Sequence, residues 1–228
     1  HYGIYNSKSF IVPYGGFAHK LMGIDDSPLI LYHTATDSLQ ENEFRSESEI
    51  CFIYARQLEV SYYMEEAVEM EDLLYKSRRL PEQGPSTTHA MRYPFQEGLV
   101  SSYLFGHYKA KGKNSIARKW AKKLGKAHRQ LRKWAKAGNV NVVHMVCLLE
   151  AESMVMKGQR QQATALYERA IALASRHGFL QDKSTAHERA GINFHHLLDP
   201  YWSNYHLKAA YESYQAWGAT IKCQQLVD

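Results

Sequence analysis

The sequence predicts an all-α chain, an α-solenoid of antiparallel helix hairpins, and three observations carry that prediction. First, Gly138, Gly158 and Gly178 stand twenty residues apart, Gly218 follows after forty more, and the intervening slot near 198 holds Asp199-Pro200. Glycine is the usual residue just past a helix end, because it enters the left-handed region without a Cβ penalty. A helix of about fifteen residues with its turn uses about twenty positions, so two such units make one repeat of about forty. Second, helix-start signals recur along the chain, and no convincing alternating strand exceeds a few residues. Third, hydrophobic residues make up 45%, which excludes a disordered chain and suffices for a substantial core.

The elements follow in order. The first twenty residues are interrupted by Pro13 and Gly15-Gly16. Ser27-Pro28 is an N-cap followed by a proline suited to the first helical position, predicting a helix to about Leu39. Ser46 with Glu49 reads as a capping box before a helix reaching Tyr63, and a further helix is expected from Glu65 to Arg79. The clearest break is Pro81-Glu82-Gln83-Gly84-Pro85-Ser86. Beyond it, helices are expected over Thr88 to Tyr108, Asn114 to Ala137, Val140 to Lys157, Arg160 to His177, Lys183 to Leu198 and Tyr201 to Trp217.

Charge is segregated. The formal net charge is +5, yet the stretch from Lys109 to Lys136 holds twelve Lys or Arg and no acid, so the remainder is acidic. Within the helix from Asn114, Ile116, Trp120, Leu124, Ala127, Leu131 and Trp134 fall on one face, predicted to be core rather than a ligand platform. Arg118, Lys122, Arg129, Arg132, Lys133 and Lys136 then point away and are the candidate interaction residues. Like-charge pairs four apart, such as Arg118 with Lys122 and Arg129 with Lys133, weaken a helix by about 0.2 to 0.5 kcal/mol each unless anions lie nearby. The anion is expected to be acid of the same array or of a protein partner. Nucleic acid or an anionic surface is the alternative.

Motifs for chemistry fail on spacing. Gly106 and Gly112-Lys113 are separated by five residues where a phosphate loop needs four, and Asn114 stands where that motif needs Ser or Thr. His187-Glu188 begins a zinc-protease pattern whose second histidine falls on Gly191. His195 and His196 diverge on a helix, and Cys147 near His144 lacks an orienting acid. Acid clusters at Glu65-Glu66 and Glu69 to Asp72 are expected to be solvated. Cys51, Cys147 and Cys223 share no metal-ligand spacing and are expected to be buried free thiols in a reduced, cytoplasmic setting. No catalytic residue, metal or cofactor is therefore expected, and no run is long enough to span a membrane. The start at His1-Tyr2-Gly3-Ile4, without an initiator methionine or signal layout, leads to the expectation of a segment cut from a longer protein.

Between Glu150 and Ala174 the small and large positions match the tetratricopeptide pattern. Ala151 takes the small position of a first helix, Gly158 the turn, Ala163 the close contact of the second helix, and Tyr167 and Ala170 the bulky and small positions after it. Gly178, Trp217 and Gly218 keep the phase, and Ala190, Phe194, Ala210 and Tyr214 continue the theme. The expected organisation is 1–80 as acidic, degenerate helical repeats and 86–228 as tetratricopeptide-like repeats carrying the basic helix 114–137.

Lys133-Trp134-Ala135, Leu148-Leu149-Glu150-Ala151-Glu152, Ala165-Leu166-Tyr167-Glu168-Arg169-Ala170-Ile171 and His177-Gly178-Phe179, with the endings Ala186-His187-Glu188-Arg189-Ala190-Gly191 and Tyr214-Gln215-Ala216-Trp217-Gly218-Ala219, resemble the helical region of large AAA-type ATPase signalling proteins. Such proteins join a kinase-like domain, an origin-recognition-like ATPase module and this tetratricopeptide-like region, often followed by sensor and histidine kinase domains. The resemblance implies a non-catalytic connector making interdomain or protein contacts. It transfers no ATP-binding residue, because those lie in other modules.

Overall fold

The computed structural model describes residues 20–23, 47–78 and 88–227. Every regular element among them is helical: α1 Glu47–Met64, α2 Ala67–Lys76, α3 Thr88–Ala110, α4 Asn114–Lys136, a 3-10 turn Val140–Val142, α5 Val143–Met156, α6 Arg160–Arg176, α7 Leu180–His196, α8 Pro200–Trp217 and α9 Thr220–Gln225. The helix expected after Ser27-Pro28, the Ser46 cap and the break from Pro81 to Ser86 lie outside the described residues.

The twenty-residue spacing is a property of the backbone, and glycine is only its commonest expression. Gly138, Gly158, Gly178 and Gly218 have φ of 92°, 79°, 73° and 86°. Leu198 fills the remaining slot itself at φ 59°, so Asp199-Pro200 does not replace the turn glycine, as the sequence suggested. Asp199 instead caps α8, accepting from the Trp202 N–H at 3.1 Å, and Pro200 opens that helix. All five turns close alike. The Gln159 N–H donates to Met154 O at 2.9 Å, Phe179 to Ala174 at 2.9 Å, Asp199 to Phe194 at 3.1 Å, Ala219 to Tyr214 at 2.9 Å and Asn139 to Trp134 at 3.0 Å. This six-to-one bond is the Schellman closure, which satisfies carbonyls that a helix end leaves free.

Two helix starts move from their expected places. Glu65 takes φ 60° and ends α1, so α2 begins at Ala67 rather than Glu65. Helix α7 begins at Leu180 rather than Lys183, which places Asp182 in its first turn, buried and bonded to Arg92.

Each of α3 to α8 packs on the next, and turns of a few residues join them, so the chain runs back and forth; α3 also touches α5. The main core joins Phe95, Leu131, Leu148, Leu149, Tyr167 and Ala190 from α3 to α7. A second core gathers Leu58, Met70, Leu74, Tyr93, Leu104 and Trp120 from α1 to α4. A third joins Leu21, Val60 and Tyr63 to Ala210, Tyr214 and Cys223 of α8 and α9. Tyr62 of α1 packs against all three. Ala151, Ala163, Tyr167 and Ala170 are all buried, and Trp217 is half-buried beside Tyr63. At Gly191 an added Cβ would lie 2.7 Å from the Leu207 side chain, so the glycine lets α7 and α8 approach closely. The three cysteines are buried free thiols.

Candidate interaction surfaces

Helix α4 is divided as its periodicity requires. Ala117, Trp120, Leu124, Ala127 and Leu131 are buried, and Ile116 and Trp134 are half-buried against the cores. Arg118, Lys122, Arg129, Arg132, Lys133 and Lys136 are exposed, as are Lys119, Lys123 and Lys126. Among the described residues, none of these nine cations has a carboxylate within ion-pair distance. The only such approach on α4 is His128 to Glu150 at 3.9 Å. Arg118 reaches the Asn114 carbonyl at 3.4 Å, and Lys123 lies 4.9 Å from the Trp120 ring centre. The indole is 8% exposed and so offers no open face for a base.

Helices α1, α3, α5 and α7 hold the opposite kind of charge, buried and paired. Arg92 of α3 donates twice to Asp182 of α7, at 3.0 Å in each case, and once to Glu59 of α1 at 3.3 Å. His144 of α5 meets the same Asp182 at 2.7 Å, and its ring stacks on Phe179 at 4.5 Å. Burial alone would raise the Asp182 pKa, but Arg92 and His144 hold it down at about 2. Glu59 also pairs with Arg56 at 2.5 Å and accepts from Gln181.

A second cluster centres on Glu152, which has no exposed surface. Arg189 clamps it through two bonds of 2.8 Å, Tyr167 donates at 2.6 Å, and Ser102 donates to the remaining oxygen. Burial raises its pKa, but the Arg189 charge and these bonds leave it below the ordinary carboxylate value. A third cluster joins Glu188 to Tyr214 at 2.6 Å and to Lys222 at 2.7 Å.

The Nδ1 atoms of His187 and His206 lie 3.1 Å apart, and His206 Nε2 faces Glu168 at 3.0 Å. One consistent tautomer set has His187 donating to His206 and His206 donating to Glu168. Burial and the neighbouring imidazole push His187 down to about 4.

Apart from Arg56 and Glu59, which stand three residues apart, each of these pairs is separated by 15 to 122 residues, beyond the reach of a local sequence pattern. His187-Glu188 stood out in the sequence as a failed metal motif and as part of the Ala186 to Gly191 ending. In the structure its two side chains go to different clusters. His195 and His196 are both exposed, and Cys147 is a buried thiol whose pKa burial raises. The acidic cluster around α2 is partly engaged: Glu69 accepts from Ser61 at 2.9 Å and Asp72 pairs with Lys76 at 2.6 Å. Among the described residues, no group of three or more His, Cys, Asp or Glu side chains could hold a metal, and no helix is long and apolar enough to cross a membrane. No family model matches the chain, and no curated protein matches it.

Proposed function

We propose that this chain is a degenerate tetratricopeptide-like α-solenoid acting as a scaffold or regulatory segment, with no catalytic role of its own, and that α4 is its contact surface. Three antiparallel hairpins, α3 with α4, α5 with α6 and α7 with α8, form the array. The reading extends to the resemblance noted above: the segment belongs within a multidomain ATP-dependent signalling protein, where it contacts neighbouring domains or a protein partner. One observation carries it. Nine exposed cations line α4 and, among the described residues, none has a carboxylate within ion-pair distance, while Asp182 and Glu152, buried between helices, are paired with arginines. Like-charge pairs along α4 weaken the helix, so an anion brought against this face is favoured.

Binding of the full chain to polyglutamate and to double-stranded DNA, followed across a salt titration, tests this. Salt-sensitive binding that Arg118→Glu and Arg129→Glu abolish without lowering the melting midpoint is the expected result. Preference for polyglutamate favours an acidic protein partner, and preference for DNA favours nucleic acid. Binding to neither polymer overturns the contact role, and nucleotide turnover by the chain overturns the non-catalytic assignment.

A further inference from the structure

In the hairpin array proposed above, in which each helix packs on the next, the α3–α4, α5–α6 and α7–α8 turns lie at one end of the helices and the intervening turns at the other. The first set forms an edge of unusual chemistry. Lys109, Lys111, Lys113, Arg118 and Lys119 are exposed at the first turn, and Lys157 at the second. At the third, Leu198 is 89% exposed, Tyr201 72%, Tyr205 53% and Trp202 42%. The only acid in these three stretches is Asp199, whose side chain is occupied in capping α8.

Leu198 is the anomaly. It holds the left-handed conformation that glycine holds at the other four turns of the series, so a β-carbon is retained where the backbone disfavours one. Nor is its side chain buried in return. Neither local conformation nor core packing accounts for a leucine here, and strain of this kind points to a use outside the fold.

We propose that this edge docks on an anionic lipid bilayer, with the N-terminal half of α4 supplying charge and Leu198, Tyr201 and Trp202 entering the interface. The proposal rests on the reading of α4 as an anion-contact surface and adds a lipid surface to the protein contact proposed for that helix. Lys and Arg near an anionic leaflet are attracted to it, and Trp and Tyr favour the headgroup level where one end is apolar and the other wet. Nucleic acid fits less well. Tyr201 and Trp202 meet edge to face at 5.3 Å and 85°, and Trp202 and Tyr205 at 5.4 Å and 82°, so the rings do not form a parallel stacking platform. A leucine offers nothing to a phosphate backbone.

Flotation of the full chain with vesicles provides the test, using pure phosphatidylcholine and phosphatidylcholine containing roughly one-third phosphatidylserine. Binding to the anionic vesicles only, falling steeply between about 50 and about 200 mM salt, is expected. Leu198→Gly should lower that affinity about tenfold, the loss expected when one leucine no longer leaves water, while the melting midpoint stays the same or rises. Lys111→Glu with Lys113→Glu should flatten the salt dependence. Failure to bind anionic vesicles, or equal binding by Leu198→Gly, defeats the membrane proposal. If polyglutamate or DNA is still bound in that case, the α4 contact role stands without it. If no polyanion binds, both readings fall.

Discussion

Helix α4 and the faces shared by α1, α3, α5 and α7 handle charge in opposite ways. On α4 the cations are dense and close in sequence, and among the described residues none has a carboxylate within ion-pair distance. Across the other helices the charges are sparse and drawn from positions far apart, yet Asp182, Glu152 and Glu188 are all held by cations. The visible charge cluster contributes little to holding the fold together, because exposed charges interact weakly through water. The scattered charges matter far more, because a buried ion left alone is strongly penalised. Charge density in a sequence therefore marks where a chain meets its surroundings and says little about what fastens it internally.

That contrast can be broken in several ways, and the largest expected effect lies in the Glu152 cluster. Arg189→Ala strands a fully buried carboxylate and should cost about 3 to 5 kcal/mol in urea unfolding. A loss below about 1 kcal/mol would show that the cluster is not closed to water. Acid should act next, through the two histidines. The folded pKa of His187 lies below its ordinary value, at about 4 rather than 6.5, and His206 is lowered too by burial. As pH falls the unfolded chain takes up these protons first. Stability is thus full above about pH 6.5 and should decline by up to about 3 kcal/mol towards pH 4. Lys183 and Glu168 face the same pair with opposing effects. Urea midpoints measured across this window should decline less in a His187→Gln variant; an equal decline would move the acid sensitivity elsewhere.

Gly191→Ala comes third, at about 1 to 3 kcal/mol, because the new methyl meets both Leu207 side-chain atoms and the Leu207 backbone nitrogen, the latter at 3.1 Å. A neutral result would mean that α8 can shift away. The smallest change belongs to α4. Lys122→Glu exchanges two like-charge pairs, with Arg118 and Lys126, for two attractive ones, and should raise stability by about 0.5 to 1 kcal/mol at low salt. Destabilisation instead would reveal an internal partner for Lys122 and erase the contrast.

How much of this was legible in the sequence differs by feature. Helical class could be read from capping and periodicity, and the apolar stripe of α4 from Ile116 to Trp134 is buried or half-buried as its spacing required. The turn spacing could be read from glycine at four positions but not at the fifth. Leu198 carries no sign in the sequence of its left-handed conformation. Asp182 was equally opaque, since its partners Arg92 and His144 arrive from other helices. The exposed cluster of Tyr201, Trp202 and Tyr205 was hidden for a related reason: an aromatic near the start of a helix reads the same whether a neighbour covers it or not.

By itself the sequence determined the helical class, most helix ends among the described residues and the cationic face of α4, because each depends mainly on neighbours within about four residues along the chain. The tertiary structure alone decided which charges are buried and paired, how α1 joins cores at both ends of the described chain, and which apolar side chains stay in water. Those outcomes depend on contacts between residues distant in sequence, and burial, which sets the strength of every charge interaction, exists only once those contacts have formed.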